Sequence, residues 1–213
     1  MFGFDLMSMV ASIPGLILAL SLHEYAHARV AVAMGDFTPR MMGRLTLNPL
    51  AHIDPIGLIM LLIARFGWAK PVVINPSNFR DPKKGEILVA LAGPAMNFLI
   101  AFLAMLFMVL YTVLFNERMS VGLHNVLWLI VLYNINFGVF NLIPIPPLDG
   151  SKVLMQLLPH DLQYRFLELE RYSFLIFVVM IATPILGYIL VPIASFIVNA
   201  YATILYGIVG IMI

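Results

Sequence analysis

Apolar residues fill this chain in long blocks, and the polar positions fall almost entirely in the breaks between them. The first block runs from about Asp5 to Met34 and ends at Gly35-Asp36, a helix-stop signal. Two more, Glu86–Phe115 and Leu123–Ile143, are separated by a short polar turn at Asn116–Ser120. Each is long enough for a helix to cross a hydrocarbon core about 30 Å thick. Pro144, Pro146 and Pro147 break the third block just before Asp149-Gly150. No charge occurs from Ser173 to Ile213, which leaves room for two further spans with Pro184 and Pro192 as kinks, or for one span and an interfacial helix.

The remaining stretches read differently. Pro55–Phe66 is apolar but well short of the roughly 20 residues a span requires, so it predicts a half-membrane or re-entrant helix. Arg44 to Asn48 alternates polar and apolar positions, a strand signal, and Val72-Val73-Ile74 predicts a second short strand among Pro71, Pro76 and Pro82. Ser151–Tyr172 is the most polar later stretch and predicts one or two surface helices. The expected fold is an all-α polytopic membrane protein: a helical bundle with a re-entrant segment and a small membrane-associated β element. It forms a single domain over 1–213, with a core at about 5–155 and C-terminal membrane segments at about 173–213.

Composition agrees with the pattern. Of the 213 residues 62% are hydrophobic and 11% charged, whereas a soluble domain is about half apolar and a quarter charged. The net charge of +1 carries no dense basic cluster, which argues against a nucleic-acid partner. Without cysteine, disulfides and thiolate metal sites are excluded, and any metal must be held by imidazole and carboxylate. Met1–Met9 lacks the basic start of a cleaved signal peptide, so the first helix is expected to be retained. If 55–66 does not span, every Lys and Arg except Arg118 falls on one side, which becomes the cytoplasmic side.

Within the first block lies His23-Glu24-Tyr25-Ala26-His27. Ionisable residues at membrane depth are costly and mark function. At helical spacing His23 and His27 project from one face, as two metal ligands must, and Glu24 is placed to reach a water on that metal without being a ligand. A hydrolytic zinc takes three protein ligands and leaves one position open. Asp149 is the leading third candidate, because it ends the proline-rich run at the same cytoplasmic depth as the histidines. Asn141 and Asn97 are amides in apolar helices, where an unpaired amide is expensive. Each either holds substrate backbone or makes an interhelical hydrogen bond. His52 and Asp54 are expected to shape their loop, with Asp54 capping a helix that starts at Pro55; His124, His160 and Asp161 are expected at the surface.

Four motifs occur in order: HEYAH at His23–His27, NPLAHIDPIG at Asn48–Gly57, AGPAMN at Ala92–Asn97 and NLIPIPPLDG at Asn141–Gly150. Together they resemble the successive signatures of the site-2 protease family of intramembrane zinc metalloproteases, over roughly residues 15 to 155. The resemblance implies that His23, His27 and Asp149 bind Zn2+, that Glu24 is the catalytic acid/base, and that single-span membrane proteins are cut within the bilayer, as in regulated intramembrane proteolysis. It points to the short branch without a PDZ domain, in a multi-pass cytoplasmic-membrane protein with its active site toward the cytoplasm. Two rival readings remain open: a transporter or proton relay built on the His/Glu cluster, and a non-catalytic protein that binds membrane clients.

Overall fold

A computed structural model of the protein describes residues 6–57, 60, 69–115 and 117–212. Its principal helices are α1 (Leu6–Met34), α2 (Pro82–Phe115), α3 (Val121–Asn141), α4 (Asp149–Leu157), α5 (His160–Glu170), α6 (Ser173–Ala182) and α7 (Ile185–Met212).

Local chemistry sets their ends. Gly35 adopts φ 114, a left-handed conformation suited to glycine, and the Asp36 N–H closes α1 on the Ala31 carbonyl at 2.9 Å. Asp81 caps α2, its carboxylate accepting from the Lys84 N–H at 3.0 Å, with Pro82 at the first helical position. The Ser120 hydroxyl accepts from the Leu123 N–H and opens α3.

Among the described residues four helices are long and apolar enough to cross a membrane: Met9–Met34, Pro82–Phe115, Val121–Asn141 and Ile185–Ile208. The stretch after Ser173 therefore holds one candidate span, not two. Thr183 precedes Pro184 and is extended (φ −114, ψ 161), as pre-proline residues prefer, so the helix stops where the sequence reading placed a kink. Ten residues of α6 reach only about 15 Å.

The expected strands do not form. Among the described residues the β pairing is one isolated antiparallel bridge, Ile53 with Ala69, extended by the Lys70 N–H donating to the His52 carbonyl at 2.8 Å. The segment after it gives its backbone donors to carboxylates instead of a neighbouring strand: Val72 N–H to Glu24 at 2.9 Å and Asn75 N–H to Asp36 at 2.8 Å. Most of the expected re-entrant helix 55–66 lies outside the described residues. Its first turn, 55–57, is helical, and the Asp54 carboxylate accepts from the Ile56 and Gly57 N–H groups at 2.9 Å each.

Helices α1, α2 and α3 pack on one another, and α7 leans against α2 and α3. Small residues permit the close approach: Ala28 and Ala31 of α1 and Ala101 of α2 are fully buried, and a Cβ on Gly15 would lie 3.1 Å from the Leu129 carbonyl of α3. Ile130, Val131, Ile135 and Val139 of α3 meet Ala194 and Leu205 of α7 in the main apolar cluster. The Tyr201 hydroxyl fastens α7 by donating to the Phe98 carbonyl at 3.1 Å. A smaller cluster of Ile143, Leu148 and Met180 ties α6 to the break before α4.

Candidate metal centre

His23 and His27 lie one turn apart on α1, each almost wholly buried, with their Nε2 atoms 2.9 Å apart. Asp149 Oδ2 stands 3.1 Å from both. The prolines that end α3 let the chain turn back, and Gly150 makes the turn possible: a Cβ there would meet the Leu142 carbonyl oxygen at 2.2 Å. Asp149, the first residue of α4, is thereby set against the histidines from across the bundle.

The outer ring nitrogens decide what faces inward. His27 Nδ1 lies 2.7 Å from the Val89 carbonyl, which can only accept, so Nδ1 carries the proton. His23 Nδ1 lies 2.7 Å from the Asn97 side-chain oxygen and donates to it. In the neutral imidazoles both Nε2 atoms then present lone pairs. Two imidazole lone pairs and a carboxylate oxygen converge in a buried triangle, a donor set that could hold a metal ion. All three ligand atoms lie within 4.8 Å of one another, a spacing that suits a metal ion.

Space for such an ion is preserved by Gly93 of α2. A Cβ there would stand 2.5 Å from His23 Cε1 and 2.6 Å from the Nε2 atoms of both histidines. Helix α2 runs from Pro82 to Phe115 with Pro94 inside it, and Gly93 serves close approach. The Phe137 ring closes another side, edge-on to His23 at 4.9 Å.

Glu24 is half-buried next to His23, with one carboxylate oxygen accepting from the Val72 N–H at 2.9 Å. The second Asp149 oxygen, Oδ1, faces the Lys152 ammonium at 3.5 Å. Asn97 is committed inside the bundle: its carbonyl takes His23, and its two N–H bonds go to the Ala19 carbonyl at 2.9 Å and to Asn134 Oδ1 at 3.0 Å. That leaves it no free donor for a substrate. Asn141 is buried and donates to the Phe137 carbonyl of its own helix at 3.0 Å. His52 is fully buried with Nε2 on the Thr46 carbonyl, away from the triangle, while His124, His160 and Asp161 are exposed.

Sequence reasoning passed over Asn134, Val89 and Phe137. Asn134 carries the same signal that singled out Asn97 and Asn141, an amide within an apolar helix. Val89 acts through its backbone, and no residue-type rule could have found it.

The sequence profile of peptidase family M50 matches residues 109–186, the part of the chain that carries Asp149. The YwhC protein of Bacillus subtilis (strain 168) is 39% identical over 180 residues, covering 83% of this chain and 82% of its own. The chain belongs to peptidase family M50. The Rip2 protein of Mycolicibacterium smegmatis is 35% identical over 180 residues, covering 82% of this chain and 68% of its own. Rip2 of Mycobacterium tuberculosis H37Rv is 32% identical over 186 residues, covering 84% and 69%. All three bear provisional zinc metalloprotease names. No solved structure matches. Membership in M50 bears out the resemblance carried by the four ordered motifs.

Proposed function

We propose that this M50 peptidase is an intramembrane zinc endopeptidase that hydrolyses peptide bonds in or near transmembrane segments of single-span membrane proteins. The observation that carries the reading is the acceptor triangle of His23 Nε2, His27 Nε2 and Asp149 Oδ2, buried in a helix bundle beside Glu24. Tetrahedral ligands about 2.0–2.1 Å from zinc lie roughly 3.3 Å apart. The sides of the triangle, 2.9, 3.1 and 3.1 Å, are close to that edge. Three ligands leave the fourth position that a hydrolytic site requires.

Bound there, zinc supplies a Lewis acid for the scissile carbonyl and acidifies a water from pKa 15.7 toward about 7. Glu24 accepts the proton of the attacking water and returns it to the leaving amine nitrogen. The Val72 N–H holds the Glu24 carboxylate in one orientation for both transfers. Asn141 is the residue proposed to hold the substrate backbone. Asn97 acts from behind His23 instead. With four spans and 55–66 not crossing, the basic residues other than Arg118 fall on one side, which supports a cytoplasmic-membrane protein with the catalytic end of α1 toward the cytoplasm.

The test is Glu24→Gln in purified protein presented with a single-span substrate in lipid vesicles. It should keep about one zinc per chain and lose cleavage by roughly 10²–10⁴-fold. Zinc-loaded wild type that cuts no membrane substrate would turn the reading toward a client-binding protein.

A further inference from the structure

Behind the metal triangle lies a chain of side-chain amides that crosses three helices, and its direction is fixed at both ends. At one end Asn134 of α3 donates through Nδ2 to the Ile130 carbonyl at 2.8 Å. A backbone carbonyl only accepts, so the amide nitrogen of Asn134 must face it, and Oδ1 must face Asn97. Asn97 of α2 then presents Nδ2 to two acceptors at once, Asn134 Oδ1 at 3.0 Å and the Ala19 carbonyl of α1 at 2.9 Å. Its own oxygen is left for His23 Nδ1 at 2.7 Å. Turning the Asn97 amide over would set its oxygen against both acceptors, and turning Asn134 over would set its oxygen against Ile130. Neither residue exposes any surface to solvent, so no water can absorb the mismatch.

We infer that Asn134 is a positioning residue for the metal site: through Asn97 it holds the proton of His23 on Nδ1 and so keeps the Nε2 lone pair free for the ion. The inference rests on the proposed metal site. His27 obtains the same protonation directly from a backbone carbonyl, that of Val89. His23 has no such fixed partner, and the amide pair converts two distant carbonyls, those of Ala19 and Ile130, into an equivalent one. Partners of this kind orient the ring and raise ligand basicity, and losing one lowers metal affinity about 10–100-fold.

The experiment uses the metal-stripped full chain with Co2+ as the probe. Affinity is read by competition against a chromophoric chelator, and the ring N–H protons of the two histidines are read as shifted, exchangeable proton resonances. Asn134→Leu removes the acceptor at similar size. It should weaken cobalt binding about 10–100-fold and speed solvent exchange of the His23 N–H, leaving that of His27 in place. Asn134→Asp supplies the same acceptor and, as the neutral acid favoured in an apolar interior, the same donor. It should hold affinity and the His23 signal close to wild type, and it carries the test alone if the leucine variant does not fold. Wild-type affinity and an unchanged His23 N–H in Asn134→Leu overturn the inference and leave the metal site standing. So does loss of the His23 signal in Asn134→Asp. Wild type that binds no cobalt overturns the metal reading itself, and the role of Asn134 with it.

Discussion

Asp36 and Asp149 are both carboxylates removed from water, and their surroundings are opposite. Asp36 sits just past the end of α1, with no exposed surface, and four donors converge on it. Oδ1 accepts from the Thr38 N–H at 3.0 Å, the Thr38 hydroxyl at 2.6 Å and Asn78 Nδ2 at 2.8 Å, and Oδ2 accepts from the Asn75 N–H. Its charge is met by neutral groups, and the result is a staple that fastens the 75–78 segment to the end of α1. Asp149 faces two imidazole nitrogens whose protons point away from it. A carboxylate among donors is satisfied as it stands; an oxygen set against two lone pairs calls for a proton or a cation between them, even with the Lys152 ammonium 3.5 Å from the other Asp149 oxygen. Burial alone does not separate the structural group from the functional one, whereas donor and acceptor polarity does.

The sharpest way to break that contrast is to remove each carboxylate in turn. Asp149→Ala should lose zinc and abolish cleavage, because two imidazoles remain where three ligands are needed. Asp36→Ala should keep its zinc and lose roughly 2–4 kcal/mol of stability, since several buried donors are left unpaired. Elemental analysis and denaturant unfolding of both variants decide it. Equal zinc loss in the two would mean that Asp36 holds the metal site together and that the distinction is false.

A smaller effect tests the space kept for the ion. Gly93→Ala places a methyl 2.5–2.6 Å from the imidazole atoms and should lower zinc affinity at least about tenfold. Gly122→Ala, in the first turn of α3 with nothing within 4 Å of the added carbon, should stay within about 0.5 kcal/mol of wild type. If chelator competition finds Gly93→Ala binding zinc as wild type does, the cradle is not where the ion sits.

Much of this was legible in the chain, and the rest failed for identifiable reasons. The His23–His27 pair is visible because ligands four apart must share a helix face. Asp149 is visible because the basic residues assign it the same depth. Asn134 has no such marker: its role depends on which carbonyls stand at each end of the amide chain, a tertiary fact. The strand signals at Arg44–Asn48 and Val72–Ile74 misled because alternation shows which side chains are apolar and not where the backbone donors go. At Val72 and Asn75 they go to Glu24 and Asp36. Whether the last stretch makes one span or two turned on Thr183-Pro184, where composition alone cannot tell a kink from a stop.

The smallest expected effect is the acid response of the two carboxylates. Burial on its own would raise the pKa of Asp36, but the hydrogen bonds from Thr38, Asn78 and Asn75 outweigh it and hold the carboxyl below its ordinary value. A group whose pKa is lower folded than unfolded binds fewer protons in the folded state, so the stability it contributes is complete above the unfolded value near 3.9 and drains away as the pH falls through the folded one. The staple should therefore hold down to about pH 4 and loosen only below it. Metal release should come as a separate event at higher pH, because the ligands must be deprotonated to hold the ion. Following zinc release and unfolding across one acid titration reads both events. Two separated transitions, with the lower one shifted or abolished in Asp36→Ala, would show that the two carboxylates do different work. A single transition common to both variants would put staple and ligand in one cooperative unit.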